Sequence, residues 1–91
     1  MSIIRKSIQV NGRVQGVFYR ASTLSKAQTL GLVGWVKNMS DGSVLVEAQG
    51  DAQKVGNLID WCKEGPRMAR VTEINTSDLK VNEDQEFNIR Y

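Results

Sequence analysis

The 91-residue sequence contains no histidine and only one cysteine, Cys62. Without histidine, the chain lacks the side chain that most often acts as a general acid or base near neutral pH. A single thiol excludes a disulfide within the chain and leaves too few ligands for a zinc site of the usual Cys/His type. The sequence therefore excludes Ser–His and Cys–His catalytic pairs, and we expect neither a metal site nor a cofactor.

The sequence also lacks any run of 18 apolar residues, and its first residues lack the continuous apolar segment of a signal peptide. We therefore expect no membrane contact and a cytoplasmic location. The 12 basic and 10 acidic residues give a net charge of +2, which is too small to indicate nucleic-acid binding. From the length and the balance of apolar and charged residues, we expect one globular domain over residues 1–91, and a monomer.

Patterns of apolar residues predict five strands and two helices. The predicted strands are residues 3–11, 32–39, 43–50, 69–78 and 87–91, and the predicted helices are residues 21–30 and a segment capped by Asp51 and ended by Gly65-Pro66. Asp41-Gly42 predicts a hairpin between the second and third strands, because both residues tolerate positive φ. This order is typical of an α+β, ferredoxin-like split βαβ fold with a short C-terminal strand, in which two helices cover one face of a mainly antiparallel sheet. The fold hosts many functions and names none.

The loop at residues 12–20, GRVQGVFYR, joins the first strand to the first helix. The N-terminus of a helix attracts anions through its free N–H groups and its dipole. Gly16 allows a turn in which successive amides point inward, and the guanidinium of Arg20 can bind two phosphate oxygens. The loop could thus bind phosphate without a metal. The alternative is an ordinary glycine-containing turn with a solvated arginine.

Asn38 lies near the end of the second strand, just before the hairpin, where its amide could face a ligand. The alternative is that it hydrogen-bonds the turn backbone, as Asn near Asp-Gly commonly does. Structural roles are the expectation for Cys62, as a buried thiol on the second helix, and for Trp35, as a packing residue. Several basic residues are expected to be solvated surface charges: Arg5, Lys6, Arg67 and Arg70.

Three segments resemble the acylphosphatase family. Residues 12–20 resemble its first signature, residues 34–44 (GWVKNMSDGSV) its second, and residues 87–91 (FNIRY) its C-terminal end. The resemblance covers essentially the whole chain and implies a small ferredoxin-like enzyme that hydrolyses acyl phosphates to a carboxylate and inorganic phosphate. Met39 departs from the pattern, because the residue after the asparagine is often small or hydroxyl-bearing in the family.

The same resemblance assigns two catalytic residues, Arg20, which binds the phosphoryl group, and Asn38, which orients the attacking water. It implies that main-chain amides complete the phosphate site: those of Gln15, Gly16, Val17, Phe18 and Tyr19. The implied ligands are a small-molecule acyl phosphate and inorganic phosphate, which as the product is expected to inhibit competitively.

Two other functions remain open. RNA-binding domains share this fold, and GVFYR superficially resembles one of their aromatic strand motifs. Such domains present aromatic residues on two central strands, however, and residues 3–11 and 43–50 contain none. The other possibility is an acylphosphatase-like accessory domain of a larger carbamoyl-transfer protein. Activity on a simple acyl phosphate separates the three functions.

Overall fold

A computed structural model describes residues 2–91, which form two helices and five strands. In chain order these are β1 (Ile3–Arg13), α1 (Tyr19–Thr29), β2 (Val33–Asn38), β3 (Val44–Asp51), α2 (Ala52–Cys62), β4 (Arg70–Leu79) and β5 (Phe87–Arg90). The strands form a sheet in the order β4-β1-β3-β2-β5, antiparallel throughout except for the parallel pair β2–β5. The predicted α+β, ferredoxin-like arrangement is confirmed. No helix within residues 2–91 is long and apolar enough to cross a membrane.

The core lies between the helices and one face of the sheet. The register pairs Ile8 of β1 with Val46 of β3, and Val46 with Val36 of β2, so that three fully buried side chains form a row across the sheet. α1 packs against β2 and β5, and α2 packs against β1 and β3. The buried helical residues are Tyr19, Thr23 and Ala27 in α1, and Val55, Leu58 and Cys62 in α2. Strand alternation thus directs one apolar face toward both helices.

Cys62 and Trp35 have the structural roles that the sequence predicts. Cys62 is buried in the core, and burial raises the pKa of its thiol to about 12. Trp35 is half-buried, and the guanidinium of Arg90 on the neighbouring strand lies 4.7 Å from its ring centroid. Neither residue lines the cavity at the ends of β1, β2 and β5.

The boundaries of β1 and α1 differ from the prediction. β1 continues to Arg13 instead of ending at residue 11, because a bulge between Asn11 and Gly12 keeps it paired with β4. Gly12 has a φ of 127°, and a Cβ there would overlap the carbonyl of Arg70, so the bulge requires glycine. α1 begins at Tyr19, two residues earlier than predicted, so Arg20 belongs to the helix and not to the loop.

The earlier start also changes which residues of α1 face the core. The apolar spacing of Leu24, Ala27 and Leu30 in the sequence predicts that these three residues face the core. Ala27 is fully buried, but Leu24 and Leu30 are only partly buried against the core. The buried positions 19, 23 and 27 repeat every four residues from the new start of the helix.

The predicted hairpin joins β2 to β3. The N–H of Met39 donates to the carbonyl of Ser43 at 2.8 Å, and the N–H of Gly42 donates to the carbonyl of Met39 at 3.2 Å. Within the turn only Gly42 has positive φ, at 93°. Asp41 acts through its side chain, because its Oδ1 accepts hydrogen bonds from the hydroxyl and N–H of Ser43 at 2.6 and 2.9 Å. These bonds lower the pKa of the Asp41 carboxyl.

The expectation that Arg5 is a solvated surface charge is wrong. Its side chain lies on the sheet face opposite the helices and is only 3% exposed. Nε and Nη2 donate to Oε1 of Glu47 at 3.1 and 2.9 Å, and Nη1 donates to Gln49 and Asn82 at 3.2 and 3.1 Å. Nη2 also lies 3.0 Å from Oδ2 of Asp84. We call these five residues the Arg5 cluster.

The segment between β4 and β5 buries Arg5. Gln49 holds this segment by a reciprocal pair of bonds, in which its Nε2 donates to the Asn82 carbonyl and its Oε1 accepts from the Asn82 N–H, both at 2.9 Å. Farther along, the Glu86 carbonyl accepts from the N–H of Gly34 in β2 at 3.1 Å. The Arg5 cluster therefore fixes the path of the chain into β5.

Replacing Arg5 should destabilise the protein more than replacing its neighbour. We expect Arg5→Met to lower the free energy of unfolding by about 2–3 kcal/mol, because it leaves two carboxylates without their buried cation. Lys6→Met is the matched control: Lys6 pairs with Asp78 at 2.7 Å, but that carboxylate is 85% exposed. Such a pair contributes at most about 1 kcal/mol. Urea unfolding measures both, and equal losses would contradict the role given to the Arg5 cluster.

Candidate active site

Three strands end at the same edge of the sheet. β1 and β2 are both antiparallel to β3, and β5 is parallel to β2, so β1, β2 and β5 run in one direction. The loop at residues 14–18 follows β1, Asn38 ends β2, and Tyr91 follows β5. A cavity of about 290 Å³ lies where they meet. It is lined by Val14, Gly16, Phe18, Tyr19, Arg20, Ala21, Asn38, Ile89 and Tyr91.

Most of the predicted site residues line this cavity: Gly16, Phe18, Tyr19, Arg20 and Asn38. Two of the predicted residues do not. Val17 is buried in the core. The side chain of Gln15 leads away to the β2–β3 hairpin, where its Nε2 donates to the carbonyls of Met39 and Ser43, both at 2.8 Å. Gln15 thereby joins the loop after β1 to the turn that follows Asn38.

The backbone N–H groups of residues 15–21 are not used in the protein's own hydrogen bonds. Within residues 2–91, no backbone bond outside the helices and strands involves them, and the side chain of Phe18 does not cap α1. The first bond of the helix runs from the Ser22 N–H to the Phe18 carbonyl at 3.0 Å. Left-handed backbone at Gly16 (φ 75°) and Phe18 (φ 65°) curves the segment. Unpaired amides around a helix N-terminus favour a bound anion.

Arg20 is the second residue of α1 and is half-buried at the cavity. It forms no ion pair with any carboxylate of residues 2–91. Its guanidinium carbon lies 5.1 Å from the ring centroid of Tyr91, close enough for a cation–π contact. Stacking on a ring leaves the in-plane N–H donors of the guanidinium available to an anion.

Asn38 has a buried side-chain oxygen without a hydrogen-bond partner in the described part of the chain. The turn nearby does not use it, because Gln15 bonds the carbonyls of Met39 and Ser43, and Asp41 bonds the N–H of Ser43. An unpaired buried polar group costs about 1–3 kcal/mol. Beside a cavity, such a group is satisfied when a polar molecule binds there.

The cavity lining contains no aspartate or glutamate. Tyr19 does not supply an acid either, because its hydroxyl donates to the carbonyl of Cys62 at 2.7 Å and burial raises the pKa of the phenol above its ordinary value. Residues 2–91 contain no group of three or more His, Cys, Asp or Glu side chains that could hold a metal ion. The polar groups of the cavity are therefore suited to binding an anion and positioning a neutral molecule.

Sequence reasoning missed Ile89 and Tyr91 as cavity residues, and it missed the bridging role of the Gln15 side chain. The alternation of Phe87, Ile89 and Tyr91 predicts a strand, but it does not tell which strand is its partner. The parallel register, in which Lys37 pairs with Arg90, brings the end of β5 to the end of β2. The family resemblance at residues 87–91 was the one sequence signal that could have placed Tyr91 at the cavity.

Comparisons with known proteins agree with one another. The family model described as Acylphosphatase matches residues 6–89. An acylphosphatase of Methylococcus capsulatus is 51% identical over 77 residues, which cover 85% of this chain and 84% of that protein. The solved structure of an acylphosphatase from Coxiella burnetii has a TM-score of 0.93 and 39% identity, covering 97% of this chain and 93% of that one.

The fold is also similar to part of a much longer protein. A crystal structure of full-length HypF, in its phosphate- and nucleotide-bound form, matches with a TM-score of 0.92 and 30% identity. The match covers 99% of this chain but only 12% of that one. Because the family model spans nearly the whole sequence and the bacterial relatives match over most of their length, the chain belongs to the acylphosphatase family.

Proposed function

We propose that the protein hydrolyses acyl phosphates to a carboxylate and inorganic phosphate in the cavity at the ends of β1, β2 and β5. Its membership of the acylphosphatase family supports the reaction. The observation that carries the proposal is the meeting of three groups without partners at this cavity: the guanidinium of Arg20, the backbone amides of the lining residues Gly16 and 18–21, and the side chain of Asn38.

In this proposal Arg20 and the amides bind the phosphoryl group. The transition state of phosphoryl transfer is loose, with negative charge spread over three oxygens, so positioning and electrostatic stabilisation supply most of the catalysis. The guanidinium donates hydrogen bonds to two of these oxygens. The phosphoryl oxygens also accept hydrogen bonds from backbone amides, those of Gln15, Gly16, Val17, Phe18 and Tyr19. The required positive charge then comes from the chain itself, and the mechanism needs no metal ion.

The leaving group needs no general acid. A carboxylate departs as a stable anion at neutral pH, because carboxylic acids titrate near pH 4. The absence of histidine and of acidic residues from the cavity lining is therefore compatible with this chemistry. The same reaction with an alkoxide leaving group would require a proton donor.

Asn38 is the residue proposed to hold the attacking water. An amide does not take up a proton near neutral pH, so Asn38 orients the water without acting as a base. Asn38 lines the cavity, where its side-chain amide can hydrogen-bond the water. The second proton of the water then passes to a phosphate oxygen of the substrate. Gln15 supports this geometry by bonding the turn that follows Asn38 to the phosphate loop.

The likeness to a small part of HypF favours one alternative, an accessory domain that acts only within a larger protein. An activity assay on the purified chain distinguishes this accessory role from the proposed hydrolysis. Hydrolysis of a simple acyl phosphate by the chain alone supports the proposed function, whereas a folded but inactive chain supports the accessory role.

We expect the purified protein to hydrolyse benzoyl phosphate and acetyl phosphate, with the same rate after treatment with EDTA. Inorganic phosphate should inhibit competitively, because the product occupies the same set of amides and Arg20. Steady-state kinetics measure both effects. Loss of activity on chelation, reversed by one divalent ion, would contradict the metal-free mechanism, and non-competitive inhibition would move the anion site elsewhere.

Arg20→Lys should be nearly as damaging as Arg20→Ala, with kcat/KM reduced about 100-fold or more in both. Lysine keeps the charge but loses the planar pair of donors that bonds two phosphate oxygens at once. Arg67, exposed in the loop after α2 and absent from the cavity lining, provides the control. Arg67→Lys and Arg67→Ala should keep wild-type kinetics. Near-wild-type activity of Arg20→Lys would show that charge alone is sufficient.

Asn38→Ala should lower kcat by about 100-fold or more while the inhibition constant of phosphate changes little, because Asn38 contacts the water and not the phosphate. Asn38→Asp should be no more active, since a carboxylate repels the phosphoryl group. Asn88→Ala, on an exposed position of β5 outside the cavity, is the control. Circular dichroism checks folding, and a folded Asn38→Ala protein that keeps most of its kcat would remove Asn38 from the mechanism.

A further inference from the structure

The chain has six aromatic residues, and two of them are strongly exposed. The exposed ones are Phe18, at 78%, and Tyr91, at 94%. Tyr19 and Phe87 are buried, and Trp35 and Trp61 are half-buried. Phe18 and Tyr91 both line the cavity, although they lie 73 positions apart in the sequence. Large exposed aromatic side chains gathered at one cavity are typical of a binding surface and are not explained by packing.

The backbone of Phe18 strengthens this interpretation. With φ 65° and ψ 22°, Phe18 is the one residue other than glycine with positive φ among residues 2–91. Glycine or asparagine adopts this conformation at lower cost than a bulky residue. The phenyl ring is not buried in the core, and it does not cap α1. Neither backbone geometry nor stability accounts for phenylalanine here, and strained residues cluster where ligands bind.

We propose that Phe18 and Tyr91 form an aromatic rim that binds the acyl group of the substrate, and that the rim selects uncharged aromatic or large apolar acyl phosphates over small ones such as acetyl phosphate. This inference rests on the proposed hydrolysis, because it takes the phosphoryl group to be bound by Arg20. The acyl group then extends from Arg20 toward the mouth, where the ring of Tyr91 lies 5.1 Å from the guanidinium. The aliphatic side chain of Ile89 lines the same cavity.

The size and charge of the cavity support this class of substrate. At about 290 Å³ the cavity has room for about ten water molecules of ~30 Å³ each, which is more than a phosphoryl group and one water require. Arg20 is the one residue with a charged side chain in the lining, and it is engaged by the phosphoryl group. A cationic acyl group would find no side-chain carboxylate there. Three aliphatic side chains, those of Val14, Ala21 and Ile89, also line the cavity and favour apolar contact.

The test compares kcat/KM for benzoyl phosphate and acetyl phosphate in the wild-type protein and in rim variants. Tyr91→Ala and Phe18→Asn should each lower the benzoyl-to-acetyl ratio by roughly 10-fold or more, since a lost apolar contact changes discrimination by about 10-fold or more. Asparagine is used at position 18 because it tolerates the left-handed backbone. Tyr91→Phe should keep the ratio. Met68→Ala removes another exposed apolar side chain, 62% exposed and outside the cavity, and should also keep it.

The ratio separates substrate selection from a purely structural role. If Tyr91 only held Arg20 in place, Tyr91→Ala would lower kcat/KM equally for both substrates, and that result would overturn the proposal.

Calorimetric binding of phenylphosphonate and methylphosphonate gives a readout without turnover. We expect tighter binding of phenylphosphonate, and loss of this preference in Tyr91→Ala. If the wild-type protein hydrolyses neither acyl phosphate yet prefers phenylphosphonate, the proposed reaction fails while the rim stands. Equal binding of the two phosphonates overturns the rim.

Discussion

The shared direction of β1, β2 and β5 is the constraint on which the site depends. β3 is the antiparallel partner of both β1 and β2, and the parallel pairing of β5 with β2 adds a third strand of the same direction. Each of these strands brings a different component to one edge of the sheet: the loop at residues 14–18, Asn38 and Tyr91. An antiparallel β5 would have carried Tyr91 to the opposite edge. The cavity is therefore a product of topology, assembled from segments that are remote in the sequence.

Two polar connections hold these components in register, and neither belongs to the apolar core. The side chain of Gln15 bonds two carbonyls of the β2–β3 turn, which couples the loop at residues 14–18 to the strand end that carries Asn38. The Arg5 cluster holds the segment before β5 against the open face of the sheet. Apolar packing alone is tolerant of small displacements, whereas hydrogen bonds fix both distance and direction. A site that works by positioning gains from such directional connections.

Features that depend on local sequence patterns were predicted correctly. Features that depend on contacts between distant segments were not. The order of elements, the hairpin at Asp41-Gly42 and the buried Cys62 follow from periodicity and turn chemistry. The burial of Arg5 does not, because on its strand it alternates like any surface residue, and its partner Asn82 lies 77 positions away. The bulge at Gly12 likewise depends on β4. Arg20 and Asn38 were named through family resemblance, and local reasoning left each with an ordinary structural alternative.

Several unpaired or strained groups lie at the cavity. Arg20 has no carboxylate partner among the described residues, the oxygen of Asn38 accepts no hydrogen bond, and the left-handed backbone of Phe18 is unfavourable for its side chain. The guanidinium of Arg5 is the contrast, because each of its nitrogens has an acceptor. Groups that remain unpaired but fixed in place need little reorganisation when charge develops on a bound phosphoryl group. The unpaired and strained groups that lower the stability of the fold are thus the same groups that would provide the proposed catalysis.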